Sequence, residues 1–525
     1  MFITLAVVAV VGVALVVLKL ASRLHKKLPP GPKGFPIVGN LFDLPPTGGR
    51  DWEHWATHKD QYGAITSLTV LGSTIIVLHD YASAFEILEK KCGHSAERPR
   101  LDFLMNMCNW GHNLALQQFD DLRHRTGRKQ LHSYIGTPAS MARFNDVQEL
   151  QSHRFLLRVL RKPKTLGHEI RAEAGAIILD MAYGYTTATD GSDPLVDLME
   201  LALTQMGVAS QPGAWPVDNI PWLKYLPNWL PGTSFKRIAA QFKAKADESA
   251  ARPFRFVEAK RADGTAMRSF VSTLHEKAGG QLQGEDAHSA MWTAQSMYAG
   301  GADTTVSTLA LFFMAMMLFP EIQSKAREEI DRVVGSDRLP SLDDREQLPY
   351  VGAIVKECLR WHPVTPTGVP HALTADYEYD GYTLPKGAMV IPSHWAMAHD
   401  PDVYANPSAF NPDRFMGEQP EMDPSQFIFG FGRRVCPGRL LARSSVFLTI
   451  ARSLAVFRIS KPVDANGNAI EPNMRFEAGL VSHPAPFDAM ITARSDAHVA
   501  LIEEVEKTHP ERRSSAKELE AITTW

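Results

Sequence analysis

The stretch Phe429-Gly-Phe-Gly-Arg-Arg-Val-Cys-Pro-Gly438 places Cys436 at the end of a loop that is rich in glycine and arginine. A run with helical character, Arg439–Leu448, follows directly after Pro437 and Gly438. Helix N-terminal amides and nearby arginines favour negative charge, so we expect them to lower the pKa of Cys436 and to favour its thiolate. A thiolate presented in this way is a good metal ligand, whereas a buried structural cysteine is the simpler alternative.

The spacing F-x-x-G-x-R-x-C-x-G resembles the haem-binding signature of the cytochrome P450 superfamily. Its fixed positions are occupied by Phe429, Gly432, Arg434, Cys436 and Gly438. The resemblance implies haem b as cofactor, with Cys436 as the axial thiolate ligand of its iron. It also implies that Phe429, Arg434 and Gly438 contact the cofactor.

The resemblance covers the body of the chain, from about Pro30 to Arg494, and is to eukaryotic microsomal members of the superfamily. Segments 368–371 and 381–387 look like those of fungal members that act in secondary metabolism. The fold implied is the cytochrome P450 fold, mainly α with a smaller β region, here preceded by one N-terminal transmembrane helix.

Composition is that of a globular protein with a large core: 525 residues, 45% of them hydrophobic and 22% charged. The net charge of −3 gives no indication of nucleic-acid binding. The four cysteines form no C-x-x-C pair, which argues against the usual zinc spacings and gives little support to a disulfide framework.

Residues 2–18 are apolar except for Thr4, and positive charges follow them while none precedes them. A membrane span needs about 20 apolar residues, so residues 1–20 are predicted to be a membrane anchor with a luminal N-terminus. A cleaved signal peptide is the alternative. Residues 21–40 then form a basic, Pro/Gly-rich hinge, which is stiff and extended because proline excludes helix. This arrangement predicts a single-pass protein of the endoplasmic reticulum with a cytoplasmic catalytic domain, residues 41–494.

The remainder of the chain divides into recognisable segments. Residues 64–79 predict a β-hairpin, 82–361 predict helices, and 369–392 predict short strands with a turn at Asp380-Gly381. Residues 211–232 are rich in proline and tryptophan, typical either of a membrane-facing or pocket-roofing loop or of a loop packed on the core. The charged tail, residues 495–525, predicts a solvated helix or a disordered extension.

A second motif is Gly300-Gly-Ala-Asp-Thr-Thr305, inside a helical run from about Ala287 to Phe319. Each glycine costs about 1 kcal/mol relative to alanine, so something must compensate: a flat ligand that approaches closely, or a neighbouring helix. The hydroxyl of Thr304 can bond back to the helix and open it locally. The motif resembles the family's [AG]-G-x-[DE]-T-T pattern, which implies that Asp303 and Thr304 are catalytic and relay protons to dioxygen, so that its O–O bond breaks heterolytically.

Glu357 and Arg360 stand at i and i+3 of one helix, so they share a face. Alone, such a pair is common and exposed. The segment 411–415 resembles the family's P-x-R-F element, whose arginine, here Arg414, would complete a Glu-Arg-Arg network. The resemblance implies a structural role for this network, holding the loop that leads to Cys436.

Haem propionates require cationic or hydrogen-bonding partners. The resemblance implies Arg434 and Arg128 for this role, Arg128 by its place in Arg125-Thr-Gly-Arg-Lys129. His124 stands where the family usually has tryptophan, and its ring could still donate. His371 occupies a position where relatives carry arginine or histidine, although a lone histidine is more often an ordinary satisfied side chain.

The two sides of the cofactor have different predicted roles. Basic residues near the cysteine could steer an acidic redox partner, or they could be an ordinary solvated face. On the opposite side we predict an apolar pocket for a hydrophobic small-molecule substrate. It should be lined by segments 101–116, 299–304, 363–369 and 479–481, with Met105, Met107 and Trp110 as candidate contacts. The same composition also fits an ordinary core.

The function implied is that of a haem-thiolate monooxygenase, which inserts one atom of dioxygen into its substrate with electrons from NADPH through NADPH–cytochrome P450 reductase. Two alternatives remain open. One is a haem-thiolate isomerase or dehydratase that does not activate dioxygen, although such relatives tend to lose the acid–alcohol pair. The other is a non-catalytic, membrane-anchored haem-binding protein.

Overall fold

A computed structural model of the chain describes residues 27–188 and 191–524. The predicted membrane anchor over residues 1–20, and the first part of the hinge, lie outside the described residues. The α-helices are α1 (Asp51–Tyr62), α2 (Tyr81–Ala84), α3 (Cys92–Ser95), α4 (Leu122–Ile135), α5 (Pro138–Ala142), α6 (Asn145–Arg161), α7 (Leu166–Tyr183), α8 (Pro194–Ala209), α9 (Pro216–Asn219), α10 (Phe235–Ala262), α11 (Phe270–Lys277), α12 (Gly284–Gly301), α13 (Asp303–Leu318), α14 (Pro320–Val333), α15 (Pro349–Trp361), α16 (His394–Ala398), α17 (Arg439–Val456), α18 (Asp496–Thr508) and α19 (Ala516–Glu520). The predicted predominance of helix is confirmed.

The β region is small; six of its strands lie in the two predicted segments, and the pair β7-β8 was not predicted. Its strands are β1 (Ile65–Val70), β2 (Ser73–Leu78), β3 (His371–Ala372), β4 (Tyr377–Tyr379), β5 (Tyr382–Leu384), β6 (Met389–Pro392), β7 (Phe457–Ser460) and β8 (Met490–Ala493). One sheet has the order β1-β2-β6-β3, and two antiparallel pairs, β4-β5 and β7-β8, stand apart from it.

The predicted hairpin is β1-β2, antiparallel with Ile65 opposite Leu78. Leu71 and Gly72 both have positive φ, 46° and 81°, which is the backbone that a tight two-residue hairpin turn requires. Strand β6 adds to this hairpin in parallel through Ile75 and Met389, so the chain returns to its first hairpin after helices α1–α15.

The described part of the Pro/Gly hinge is extended and docked on β1 over residues 27–34, and residues 36–38 form a tight turn. The carbonyl of Pro30 accepts from the amide of Ser67 at 2.9 Å, and the carbonyl of Pro29 accepts from its hydroxyl at 2.5 Å. A Cβ at Gly31 would lie 1.9 Å from the carbonyl oxygen of Ser67, so only glycine permits this approach. The hinge is therefore fixed to the body from Pro29 onward.

Helices α12 and α13 run through the core in sequence and pack on α7 and α17. Among residues 27–188 and 191–524, the segment Gly284–Leu318 is long and apolar enough to span a membrane by length and composition. Most of its apolar surface is buried inside the protein, as expected of a core helix.

The predicted Glu-Arg-Arg network is formed and buried. Arg360 on α15 donates from Nε and Nη2 to both carboxylate oxygens of Glu357, at 2.7 and 2.8 Å, and Nε of Arg414 donates to the same carboxylate at 3.2 Å. The remaining guanidinium N–H groups bond carbonyls of the irregular segment 398–409, and Nη1 of Arg414 also donates to the carboxylate of Glu421. The network thus fixes the irregular chain that precedes the cysteine loop.

The tail is more ordered than its charge predicted. Helices α18 and α19 pack on the body, and Ile502, Val505 and Leu519 are at most 2% exposed. The predicted helix is confirmed and most of its side chains are exposed, whereas the disordered alternative is wrong, because a few apolar side chains in a charged sequence are enough to dock the tail. Polar contacts reinforce the docking, including an ion pair between Arg161 and Glu506 at 2.6 Å.

Candidate functional site

The cysteine loop is a tight turn held by its own backbone. The amide of Cys436 donates to the carbonyl of Phe429 at 2.7 Å, which closes the loop on itself. Gly432 has a φ of 53°, and a Cβ there would lie 2.5 Å from the carbonyl oxygen of Leu88. Gly438 is the N-cap of α17, so the helix begins three residues after the cysteine. Gly432 is therefore required by backbone geometry and close packing.

The thiol of Cys436 lies where the helix amides can reach it, but burial decides its protonation in the absence of a metal. Burial raises the pKa of Cys436, and the amides of Gly438 and Arg439 and the charges of Arg128 and Arg439 only partly oppose that rise. The predicted net lowering of this pKa is wrong, because sequence spacing does not reveal how completely the sulfur is buried. The amides and arginines remain suited to stabilising an anionic sulfur once a cation binds it.

Helix α12 ends at Gly301 and α13 begins at Asp303, so the long core helix is interrupted at Ala302. The hydroxyl of Thr304 donates to the carbonyl of Gly300 at 2.7 Å, and that of Thr305 donates to the carbonyl of Gly301 at the same distance. The predicted back-bonding and local opening are confirmed, and Thr305 takes part as well.

The two glycines before the break have different roles. A Cβ at Gly301 would lie 2.6 Å from Cδ1 of Ile178 on α7, so this glycine serves helix packing. A Cβ at Gly300 would meet no described atom within 4 Å, and Gly300 is exposed although it lies in a core helix. Gly300 therefore borders open space beside the break, as a ligand-facing glycine would.

Asp303 has a partner that the sequence did not indicate. Its Oδ1 lies 3.0 Å from Nε2 of His483, which belongs to the segment between β7 and β8. Both side chains are partly exposed.

Buried cationic groups gather close to the cysteine loop. Arg128 on α4 donates to the carbonyl of Val435 at 2.8 Å, and Arg434 donates to the carbonyls of Ala96 and Gln117. Burial lowers the pKa of Arg434 to about 10; the carboxylate of Glu97 partly opposes this shift and the charge of Arg128 adds to it. A set of buried guanidinium groups that repel one another is costly unless an anion joins them.

Both predicted histidines belong to this cluster. Burial, with Arg434, Arg128 and Arg98, lowers the pKa of His124 to about 3, and burial with Arg98 places the pKa of His371 well below its usual value. Both imidazoles are therefore neutral and can each donate one N–H.

Two buried nitrogen atoms of the cluster, Nη1 of Arg434 and Nδ1 of His124, have no hydrogen-bond partner among the described residues. Buried polar atoms are seldom left unsatisfied, so these atoms indicate a missing polar partner. Nδ1 of His371, by contrast, is bonded to the carbonyl of Ser95 at 2.7 Å.

Arg98 is the cationic residue that the sequence analysis missed. It is 6% exposed and donates to the carbonyls of Ala115, Val369 and Pro370, which joins the 101–116 region to the segment before β3. Burial, with the charges of Arg434 and Arg128, lowers its pKa well below the usual value. Its neighbours in sequence, Glu97, Pro99 and Arg100, gave no signal that its side chain is buried.

Two of the three candidate pocket contacts are core residues. Trp110 is fully buried and Met105 is 9% exposed, and both belong to an apolar cluster with α8 and α10. Met107 packs on the edge of that cluster. The ordinary-core interpretation therefore holds for Trp110 and Met105.

The chain matches the family model described as Cytochrome P450 over residues 29–490. The chain belongs to the cytochrome P450 family. It is 47% identical over 498 residues to cytochrome P450 monooxygenase claR of Ampulloclitocybe clavipes, with 94% of this chain and 92% of that protein covered. It is 42% identical over 522 residues to cytochrome P450 monooxygenase CLM2 of Gibberella zeae, covering 98% of each. It is 40% identical over 495 residues to O-methylsterigmatocystin oxidoreductase of Aspergillus flavus, covering 94% and 92%.

The protein is thus a haem monooxygenase of the cytochrome P450 family, similar to fungal members, and its cofactor is a haem whose iron is held by a cysteine thiolate. The residues present fit this group. The cationic cluster with its unpartnered atoms on Arg434 and His124 suits a cofactor that carries carboxylates. Gly300 leaves open space, and the buried thiol of Cys436 stands beside the cluster through Arg128.

Proposed function

We propose that this cytochrome P450 inserts one atom of dioxygen into a hydrophobic small molecule, by hydroxylation or epoxidation, with electrons from NADPH delivered by NADPH–cytochrome P450 reductase. Cys436 is the proposed ligand of the haem iron. The observation that carries this proposal is the connection of the Cys436 loop to the unsatisfied cationic cluster, through the bond from Arg128 to Val435.

When bound, the haem supplies the oxidation of the substrate by activated dioxygen. The proposed propionate partners are Arg434, Arg128 and His124, together with Arg98. His371 was predicted for the same role and lies in the cluster, but the single N–H of its neutral ring is donated to the carbonyl of Ser95 and is not left for a propionate. Phe429 and Gly438 shape the backbone around Cys436, and Phe429 does so through its carbonyl.

Asp303 and Thr304 are the proposed proton relay. In the structure the Thr304 hydroxyl donates to Gly300, beside the open space at the helix break. From that position the hydroxyl can hold a water molecule or a reduced oxygen species, and Asp303 one residue away can renew its proton. This pair favours a monooxygenase over an isomerase or a simple haem binder.

We further propose attachment to the endoplasmic reticulum membrane by a single anchor, residues 1–20, with the catalytic domain of residues 41–494 in the cytoplasm. The proposal is supported by large exposed side chains in two segments, the hinge region with Phe35, Ile37 and Phe42 and the 211–232 loop with Trp222 and Trp229. Trp215 of that loop instead stacks on Phe103 at 3.6 Å, so the loop both roofs the body and offers an apolar surface.

The reductase is proposed to dock on the side of the cysteine loop. Lys129, Arg433 and Arg439 are exposed there, Arg443 is half-buried, and none of the four forms an ion pair among the described residues. An unpaired cationic surface of this kind steers an acidic partner.

Replacing Cys436 with alanine tests the proposed ligand. We expect the variant to lose the long-wavelength Soret band that the reduced carbon monoxide complex of a thiolate-ligated haem shows, because no other described cysteine lies in this loop. Cys92→Ala is the matched control, since Cys92 packs beside Gly432 of the same loop, and it should keep the band. A Cys436→Ala protein with the wild-type band would refute the assignment.

Replacing Thr304 with alanine tests the relay. We expect the carbon monoxide spectrum to persist while product formed per NADPH falls about tenfold or more, because a positioned proton donor contributes on the order of 10²–10⁴ to a rate. The lost electrons should leave as hydrogen peroxide. Thr305→Ala removes an equivalent bond, to Gly301, on the buried side and should remain largely coupled. Equal uncoupling in both variants would contradict the relay role.

A further inference from the structure

His483 is held beside the helix break by a loop that is fixed independently of its side chain. Its neighbour Ser482 is fully buried, accepts through its carbonyl from the hydroxyl of Ser307 at 2.6 Å, and donates its amide to the carbonyl of Val364 at 2.8 Å. The Ser482 hydroxyl donates to the carbonyl of Glu477 and bonds Nε2 of His362 at 2.8 Å. The backbone of this loop is thus fastened to α13 and to the chain after α15.

Since Ser482 already fastens the loop, the contact between His483 and Asp303 is not needed to hold it. A partly exposed ion pair also contributes little to stability. The contact is nevertheless direct, 3.0 Å between Nε2 of His483 and Oδ1 of Asp303, and it spans 180 residues of sequence to reach the acid beside Thr304.

The surroundings of Asp303 are otherwise acidic. Glu200 on α8 interacts with it electrostatically, and Asp197 and Asp193 lie on the same side, close to the phenol of Tyr298. The described cationic or titratable groups on the other elements are Arg171 and His168 of α7, which face Glu200, and His362, which faces His483. The imidazole of His483 is therefore the partner placed to orient the Asp303 carboxylate and to supply it with protons.

We propose that His483 is a positioning residue of the oxygenation reaction, which holds the Asp303 carboxylate at the helix break and passes protons to it from solvent. This inference rests on the proposed relay of Asp303 and Thr304. In one transfer, a His483 imidazolium gives its Nε2 proton to Oδ1 of Asp303 and becomes a neutral imidazole, and the partly exposed ring then takes up a proton from a hydronium ion of the solvent. Asp303 then carries that proton towards the Thr304 hydroxyl, and no oxidant or reductant is consumed in the transfer.

The test compares His483→Ala and His483→Gln in the full-length, haem-loaded protein with its reductase. The glutamine amide can still donate a hydrogen bond to Asp303, but unlike an imidazole it cannot release a proton and take up another. We expect both variants to keep the carbon monoxide absorption band. Product per NADPH should fall several-fold in His483→Ala, with hydrogen peroxide released instead, and by a smaller factor in His483→Gln. His498→Ala, which removes a partly buried histidine bonded to Ser495 far from the break, is the matched control and should remain coupled.

A double variant separates this role from a merely structural one. If His483 acts through Asp303, adding His483→Ala to Asp303→Asn should cause little further loss of coupling. A further independent loss, or wild-type coupling in His483→Ala, would overturn the inference.

One readout does not depend on turnover. The stretching frequency of carbon monoxide on the reduced protein responds to nearby polar groups, so His483→Ala and Asp303→Asn should shift it in a similar way. If the wild-type protein formed no product with NADPH and reductase, the proposed function would fail, and the carbon monoxide shift would still decide the inference. An unchanged stretching frequency in His483→Ala would reject it.

Discussion

Glu357→Gln should destabilise this protein by about 3–5 kcal/mol, because it leaves the buried Arg360 without its carboxylate partner and removes one of the two carboxylates that pair with Arg414, the other being Glu421. Arg360 and Glu357 are 0% exposed and the side chain of Arg414 is 2% exposed, so water cannot replace the lost partner. The substitution keeps side-chain volume and one acceptor oxygen, which isolates the effect of the charge. Urea unfolding followed by circular dichroism gives the change in the free energy of unfolding.

The same substitution should sharply reduce the fraction of protein that carries a thiolate-ligated haem, since the network fixes segment 398–409 ahead of the cysteine loop. Glu506→Ala is the control. Its carboxylate also pairs bidentately with an arginine, Arg161, but both side chains are about half exposed, so the expected cost is within about 1 kcal/mol. Equal unfolding midpoints for Glu357→Gln and Glu506→Ala would show that the buried network contributes no more to stability than an exposed ion pair does.

The parts of the site that the sequence predicted are those encoded over short spacings. Cys436 with its glycines, Glu357 with Arg360, and Asp303 with Thr304 each lie within one loop or one or two helical turns, so residue order determines their geometry directly. The hairpin β1-β2 was predictable for the same reason.

The parts that were missed depend on contacts between distant segments. Arg98 reaches Val369, 271 residues away, and His483 reaches Asp303 across most of the C-terminal half. The pKa of Cys436 was predicted in the wrong direction because its burial is produced by the whole fold. Neither distance nor burial is visible in the local order of residues.

The docking of the tail on the body was missed for a different reason: the prediction followed the charge of the tail and did not use the spacing of its apolar residues. Ile502 and Val505 stand at i and i+3 on α18, which is the pattern of a helix with one docked face. Arginines of the body then meet the acidic side of that helix, as Arg161 meets Glu506. The family model ends at residue 490, so the resemblance gave no guidance about this segment.

Removal of the tail after Arg494 should therefore lower the unfolding temperature markedly rather than leave it unchanged. The deletion exposes the surfaces of α6, α8 and α10 on which α18 and α19 pack, together with the sites of Ile502, Val505 and Leu519. Each such side chain contributes about 1.5–3 kcal/mol by burial, offset in part by the entropy of ordering the tail. Differential scanning calorimetry of the haem-loaded protein measures the shift.

A point variant shows whether the docked face carries that effect. Ile502→Ala should cost about 2–5 kcal/mol, since Ile502 is 0% exposed and its loss leaves a cavity between α18 and α6. Glu503→Ala, the exposed neighbour on the same helix, should change stability little, because surface substitutions seldom do. If Ile502→Ala and the truncated chain both unfold at the wild-type temperature, the packing of the tail on the body contributes nothing to stability. If only the truncation destabilises, the stabilisation comes from α19 and its contacts at Ser515 and Leu519 instead.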